Sequence, residues 1–376
     1  MTVSTQQLAP ADLITTSIRT IQQGQSASGA YIASPTFEQY AYGWLRDGAY
    51  CAMAMDVVGH SSSSADFHQW VISVLHRHEE HITALTQLAA NDESIDEGLL
   101  LPTRFHLNGR TELEHGADEW PNFQLDGYGT WLFAFREHIV HRDTPLSLRE
   151  AGAVRLAAEY LASTWQLPCY DYWEEFGDRR HTSTLASIAA GLRAASDLVN
   201  EKAWRLKAQR VLRDIEELCT DGERFTKGPD DDRVDASLLS LATPFNLVAL
   251  DDRRMVATVR AIDEQLTTSS GGVRRYVGDE YYGGSPWLLL TAWRGWHARR
   301  QGDEQAHARA RDWVRLSAGH DGLMPEQRVD EPQLPEMVAV WEARWGTAAD
   351  PLLWSHAKYL LMETKSELDG RGVVAR

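Results

Sequence analysis

Cysteine is scarce in this chain. Only Cys51, Cys169 and Cys219 occur among 376 residues, an odd number at wide spacing with no Cys-x-x-Cys pair and no Cys/His cluster. Such a set supports neither a disulfide framework nor a zinc site. Positive charge is also short, since 37 Lys and Arg against 54 Asp and Glu leave a net charge of −17. Lacking a basic patch for phosphates or anionic lipid, the chain is expected to bind neither nucleic acid nor membrane, and a small neutral ligand suits it better. No apolar run reaches the length of a membrane span, and the opening MTVSTQQLAPADLITT has neither a basic start nor a signal-like apolar core. The protein therefore reads as cytoplasmic. No Pro/Ser-rich linker, polar low-complexity tract or fixed-period repeat is visible, which argues against a solenoid. One domain over residues 1–376 is expected, with 366–376 as a loosely ordered tail.

What the chain does have is apolar content of 43%, enough for a large core, and 14 tryptophans. Tryptophan fills cores, and it also stacks flat on sugar rings. Helical periodicity recurs in twelve segments, from ADLITTSIRTIQQ through ADFHQWVISVLHRHEEHI, TSTLASIAAGLRAASDLV and RVDASLLSLA to PLLWSHAKYLLMETKS, and strand signals are confined to short pieces. GSPWLLLTAWRGW and STLASIAAGL are apolar on more than one face, as inner helices require, whereas EKAWRLKAQRVLRDIEELC has a wide charged face and belongs outside. Alternating inner and outer helices predict an all-α helical toroid. Several connections are longer than usual for helical proteins and rich in Gly, Pro, Asp and aromatics, and long ordered connections carry function.

Four clusters in those connections hold candidate residues. In YAYGWLRDGAY, Arg46 and Asp47 open an apolar helix and present donors and acceptors suited to vicinal hydroxyls; a surface ion pair at a helix start is the plainer account. In EWPNFQLDGYGTW, Trp120 and Gln124 precede a second Asp-led helix start, where Asp126 reads equally as a cap and Trp120 as a buried anchor. In YDYWEEFG, Glu174 and Glu175 are adjacent, so their side chains diverge and cannot share a role. A glutamate held beside a tryptophan and away from water has its pKa raised toward that of a working general acid, although a solvated charged loop fits the same letters. In DGLMPEQRVD, Glu326 follows a proline in an aperiodic connection and by itself looks like a surface residue.

Joint order changes that balance. The motifs W-x-R-D, Q-x-D-G, D-x-W-E-E, R-Y-x(3)-E-Y-Y-x-G-x-P-W, P-E-Q and L-x-W-S-H-A run from Tyr40 to Leu361, and together they resemble the catalytic domain of glycoside hydrolase family 15, the glucoamylases, glucodextranases and relatives. The resemblance implies an (α/α)6 barrel with a pocket at one end and no cofactor or metal. It implies that Glu174 is the general acid, Glu175 a substrate-binding carboxylate and Glu326 the general base. It further implies that Arg46 and Asp47 hold the non-reducing-end sugar, that Tyr40, Trp173, Arg275 and Trp354 line the same subsite, and that Trp120 and Trp287 stand around it.

The reaction so implied inverts the anomeric centre, with a protonated Glu174 donating to the glycosidic oxygen and an ionised Glu326 activating water on the opposite face. Carboxyls working this way sit roughly 6.5–9.5 Å apart. A pocket closed by Arg46 and Asp47 admits one chain end and releases β-glucose. Family members reduced to a bare catalytic domain include isomaltose glucohydrolases, so short α-1,6-linked glucosides are the expected substrates. Maltose-type and trehalose-type hydrolysis, and a non-hydrolytic sugar-binding protein, remain as alternatives. Two departures stand out: the stretch between Glu326 and Trp354 is longer than in fungal glucoamylases, and Gly283 stands where many relatives carry Asn. Trp341 or Trp345 from the longer stretch is expected to wall the leaving-sugar subsite, unless the insertion is simply an outer packing helix.

Overall fold

The structure, a computed structural model, describes residues 10–111, 123–366 and 369. Among the described residues the chain alternates between an outer and an inner layer. It begins with α1 (Pro10–Gln23) outside and α2 (Leu45–Val57) inside, followed by α3 (Ser61–Arg77) and α4 (Glu79–Ala90) outside and α5 (Asp126–Arg142) inside. Next come α6 (Leu148–Thr164) outside, α7 (Thr182–Val199) inside, α8 (Lys202–Leu218) outside and a 3-10 helix (Ala236–Leu241) inside. Then α9 (Arg253–Gln265) and α11 (Glu304–Ser317) lie outside, α10 (Leu288–Gln301) and α13 (Leu353–Glu363) inside, and α12 (Pro335–Trp345) at the rim. Each inner segment touches the next, and α13 closes on α2, so the ring is an (α/α)6 barrel. The one sheet among the described residues is the antiparallel pair β1 (Gly43–Trp44) and β2 (Arg104–Phe105).

Burial explains the layering. Every residue of α2 from Leu45 to Asp56 is buried, as is every residue of α13 from Leu353 to Met362, because each inner helix meets neighbours on all sides. By contrast α8 buries only Trp204, Ala208, Val211 and Ile215, a single stripe at helical spacing, and leaves its charged face in water. The α5–α7 crossing depends on glycine. A Cβ on Gly129 would stand 2.2 Å from the Ser187 carbonyl oxygen, and one on Gly191 would stand 2.6 Å from Gly129 Cα.

Three details depart from the sequence-based expectation. RVDASLLSLA forms a 3-10 helix rather than an α-helix: Asp235 Oδ1 accepts from Ser237 N at its start and Pro244 follows closely, so no second α-turn propagates. ADFHQWVISVLHRHEEHI is broken at His78 into α3 and α4, within a run of His, Arg and Glu that carries no apolar stripe. An additional helix, α12, lies inside the long stretch before Trp354 and starts on a proline, which suits a first helical turn. Trp120 and nearly all of the 366–376 tail fall outside the described residues. No helix among the described residues is long and apolar enough to cross a membrane, and all three cysteines are buried free thiols.

Candidate active site

The inner helices begin at a common end of the barrel. Asp47 lies in the first turn of α2 and Asp126 in that of α5, while Trp287 immediately precedes α10 and Trp354 is the second residue of α13. The partial positive charge of these helix starts helps carboxylates gather there. A cavity of about 630 Å³ opens at this end, and both Glu174 and Glu326 line it.

Arg46 and Asp47 form its buried floor. Arg46 Nη1 donates to Asp126 Oδ2 at 2.8 Å and to Gln124 Oε1 at 2.9 Å, and Tyr172 and Trp354 each hold a ring 5.1 Å from the guanidinium carbon. Its Nη2 reaches Glu174 Oε1 at 3.6 Å, and its Nε reaches Asp47 Oδ2 at 3.6 Å. Asp47 Oδ2 has no hydrogen-bond partner among the described residues. Burial pushes the Asp47 carboxyl up to about 7, against the pull of Arg46. Asp47 lines the cavity, and the exposed part of its side chain offers an acceptor suited to a sugar hydroxyl. Gln124 is wholly buried behind Arg46 and is absent from the cavity wall, so it orients the guanidinium rather than meeting a ligand.

The loop carrying Glu174 and Glu175 is built around Asp171. Asp171 Oδ1 accepts from the backbone N of Trp173 at 2.9 Å and of Glu175 at 3.0 Å, while Oδ2 takes Lys227 Nζ at 2.7 Å. Lys227 also donates to Asp235 Oδ2 at 2.5 Å, and the Trp173 indole donates to that same oxygen at 2.9 Å. Despite burial, Lys227 holds the Asp171 carboxyl below its ordinary value. The turn places Glu174 at φ 65° and Phe176 at φ 54°, a left-handed region that costs side-chain-bearing residues about 1 kcal/mol or more. That conformation separates the two glutamates. Glu174 Oε1 accepts from Trp44 Nε1 at 2.6 Å. Glu175 instead accepts from Tyr276 and, at 3.2 Å, from Arg275 Nη2. Arg275 is itself gripped by Asp279, with Nε donating to Oδ2 at 2.7 Å.

Glu326 has a different setting. Its backbone N donates to Ala349 O at 2.8 Å and its carbonyl accepts from Leu288 N at 3.1 Å, pinning the residue between α10 and the approach to α13. The carboxylate is 1% exposed and accepts from Tyr40 OH at 2.9 Å and from Gln327 Nε2 at 3.2 Å. Burial pushes its pKa up to about 7, with the bonds from Tyr40 and Gln327 opposing. Tyr281 OH lies 2.9 Å from Tyr40 OH and continues the chain of hydroxyls.

The mouth is aromatic. From α12, half-buried Trp341 and Trp345 and exposed Arg344 line the cavity, with Trp341 and Tyr281 in edge contact at 5.0 Å between centroids. Gly283 explains how α12 reaches that position. At φ +75° it accepts from Gln333 N at 2.7 Å and Leu334 N at 3.0 Å, and a Cβ there would stand 2.7 Å from the Leu334 carbonyl oxygen. A side chain at 283 would expel the insertion. The insertion is therefore both a packing helix and part of the cavity wall. Trp287, Trp341 and Trp354 line the cavity through their rings, while their indole Nε1 atoms are buried and have no hydrogen-bond partner among the described residues.

Of the residues singled out from sequence, Tyr40, Arg46, Asp47, Trp173, Glu174, Glu175, Arg275, Trp287, Glu326 and Trp354 all line this cavity. Sequence reasoning missed Trp44 and Tyr281, although both stand inside quoted motifs. It also missed Lys227 and Asp235, whose partners Asp171 and Trp173 lie more than fifty residues away, and Asp279, which grips Arg275 four residues before it. Lys358 was missed too: it is buried on α13, with Nζ 3.3 Å from the ring centroids of both Tyr50 and Trp293. Burial pulls its pKa well down while nearby Asp47 acts in the other direction.

Comparison with known proteins agrees with this geometry. An isomaltose glucohydrolase from Kribbella flavida is 37% identical over 350 residues, 91% of this chain and 89% of its own. A trehalase from Mycolicibacterium smegmatis is 27% identical over 68% of this chain and 41% of its own. A glycosidase variant solved in complex with glucose superposes with a TM-score of 0.89 at 35% identity, covering 96% of both chains. A bacterial glucoamylase complexed with acarbose gives a TM-score of 0.71 at 19% identity over 93% of this chain and 55% of that one, a likeness of fold. The sequence profile of glycosyl hydrolases family 15 matches residues 11–319, which takes in the Glu174 loop and stops seven residues before Glu326. The chain belongs to glycosyl hydrolases family 15 and is a glycoside hydrolase of α-glucosides.

Proposed function

We propose that this protein is an inverting, exo-acting hydrolase of short α-1,6-linked glucosides, with isomaltose as its main substrate and β-glucose as the released sugar. The observation that carries the reading is a single cavity in which two carboxylates, Glu174 and Glu326, stand above a floor of Arg46 and Asp47. Similarity to the isomaltose glucohydrolase supports the linkage. Arg46 and Asp47 hold the hydroxyls of the non-reducing glucosyl unit. Glu174 protonates the glycosidic oxygen, and Glu326 takes a proton from water on the far face of the ring, oriented by Tyr40. As charge develops at the anomeric carbon, Glu175 stays bound to Arg275 and Tyr276 and contributes negative potential without serving as nucleophile. Trp341, Arg344 and Trp345 bound the leaving glucose and favour disaccharides over long chains. The three buried thiols suit a reducing cytoplasm.

Surroundings favour the proton on Glu326 in the free protein, opposite to what a general base needs. With its pKa pushed up to about 7, the ionised base gains as pH rises through neutrality, and the rate is expected to rise with it. Proton NMR of the enzyme acting on isomaltose, maltose and trehalose, read before mutarotation, tests the whole reading. β-Glucose appearing first from isomaltose, and far faster than from the other two, is the expected result. α-Glucose first would overturn inversion. Equal or greater rates on maltose or trehalose would move the linkage, and no release from any of the three would favour a binding protein.

A further inference from the structure

Far from the cavity, the opposite end of α2 meets α3 and α5 around three buried side chains that the reaction does not use. Asp56 is in the last turn of α2, His68 is in the middle of α3, and His138 is in the last two turns of α5. Their candidate donor atoms all lie within 4.8 Å of one another. His138 Nδ1 is 3.0 Å from Asp56 Oδ2, and Ser64 Oγ approaches the same pair, at 2.8 Å from Asp56 Oδ2 and 3.3 Å from His138 Nδ1. His68 packs its ring 4.9 Å from that of His138 and 5.1 Å from that of Phe135, is 1% exposed, and has no hydrogen-bond partner on either nitrogen among the described residues.

An imidazole in that state needs an explanation. Its N–H is cut off from water with nothing accepting from it, a condition that costs on the order of 1–3 kcal/mol. The surroundings are apolar, with Phe67 and Phe135 against the ring, so an aliphatic side chain would fill the space without that cost. An Asp56–His138 ion pair alone leaves His68 unaccounted for. Bonds of about 2.0–2.1 Å to a tetrahedral ion set donor atoms roughly 3.4 Å apart, and small rotations of three side chains bring the group to that spacing. Two imidazoles and a carboxylate select a divalent first-row transition ion over magnesium or calcium, which prefer oxygen alone. The nearest guanidinium, Arg142, is occupied by Glu150 at 2.9 Å, so it does not compete for Asp56.

We infer that Asp56, His68 and His138 form a structural site for a divalent transition ion of the zinc class, with Ser64 beside it as a fourth oxygen. The ion ties α2 to α3 and α5. Because α2 and α5 carry Arg46, Asp47 and Asp126 at their other ends, the site braces the two helices that present the cavity floor.

The test uses tag-free, chelator-treated protein titrated with Co2+ and Zn2+, reading visible absorption of bound cobalt, metal content after gel filtration, and melting temperature. One ion per chain, a visible cobalt band of a site with nitrogen donors and a higher melting temperature with Zn2+ are expected. In His68→Gln, affinity is expected to fall by about 100-fold or more, with the thermal gain lost. That variant breaks no hydrogen bond of the protein, so it should fold, and hydrolysis without added metal should stay close to that of the unsubstituted protein. Absence of stoichiometric binding, an unchanged response in His68→Gln, or equal stabilisation by Mg2+ would overturn the inference. None of these outcomes bears on the hydrolytic reading, which needs no metal.

Discussion

The two carboxylates that line the cavity are held by opposite means. Glu174 rides on a left-handed turn clamped by buried charge, with Asp171, Lys227 and Asp235 beneath it and Arg46 beside it. Glu326 sits on an extended segment tied by backbone hydrogen bonds, and the groups that touch its carboxylate are a hydroxyl and an amide. Charge fixes the first; burial tunes the second. Two residues of one type are thus placed in two environments by two kinds of packing.

The sharpest way to break that contrast is to remove each carboxyl. Glu174→Gln and Glu326→Gln are each expected to lower kcat on isomaltose by about 10²–10⁴-fold. Only Glu326→Gln should also stabilise the fold. Its carboxyl, ordinarily at 4.5, is held up near 7, so the folded state binds a proton that the unfolded chain has released, and stability falls as pH climbs through that window. The cost at pH 7.5 is about 3 kcal/mol, and it vanishes below pH 4.5. Thermal melts at pH 4 and pH 7.5 should therefore show Glu326→Gln equal to the unsubstituted protein in acid and more stable at the higher pH.

Next in size is Lys227→Met, which leaves Asp171 and Asp235 buried without their cation and is expected to cost about 3–5 kcal/mol in denaturant unfolding. Residual activity of the folded fraction should fall through kcat, because the amides that shape the Glu174 turn hang from Asp171. Tyr40→Phe acts on the other side. Its hydroxyl bond lowers the Glu326 pKa, so removing it should move the acid limb of kcat/KM above pH 7, whereas Glu174→Gln, which removes a neighbouring negative charge that raises it, should move that limb the other way. The smallest effect belongs to the mouth. Trp341→Ala with Trp345→Ala is expected to raise KM for isomaltose by about tenfold, the loss of one or two stacking contacts, with kcat little changed and the preference for disaccharides over longer sugars reduced.

Most of the barrel was legible in the sequence because its inner helices are apolar all round and its outer ones are striped. Where it was misread, the signal was absent: His78 breaks a polar run, and the 3-10 helix keeps helical periodicity through a segment too short and too strongly capped to become α. The cavity residues were legible for another reason. Arg46, Glu174, Arg275 and Glu326 each stand in a short motif, and motif order carried them together. Lys227 and Asp235 stand in no such motif, and Asp279 occupies an unspecified position of one, since a buried counter-charge is recognised by the partner it meets in the fold. Gln124 was found by its motif yet sits one layer behind the cavity, because sequence proximity to the site does not say which way a side chain turns.

The union of Gly283 with residues 333 and 334 has an evolutionary consequence. Tyr281, two residues earlier, touches both Trp341 on α12 and the Tyr40 hydroxyl that serves Glu326. The aromatic wall that α12 gives the cavity and the hydroxyl chain that reaches Glu326 thus share one stretch of backbone. Under the proposed mechanism, an exchange of this segment for a longer or shorter one is expected to change the pH at which the enzyme works together with the length of sugar it accepts. Selectivity and acidity would then be inherited as one trait.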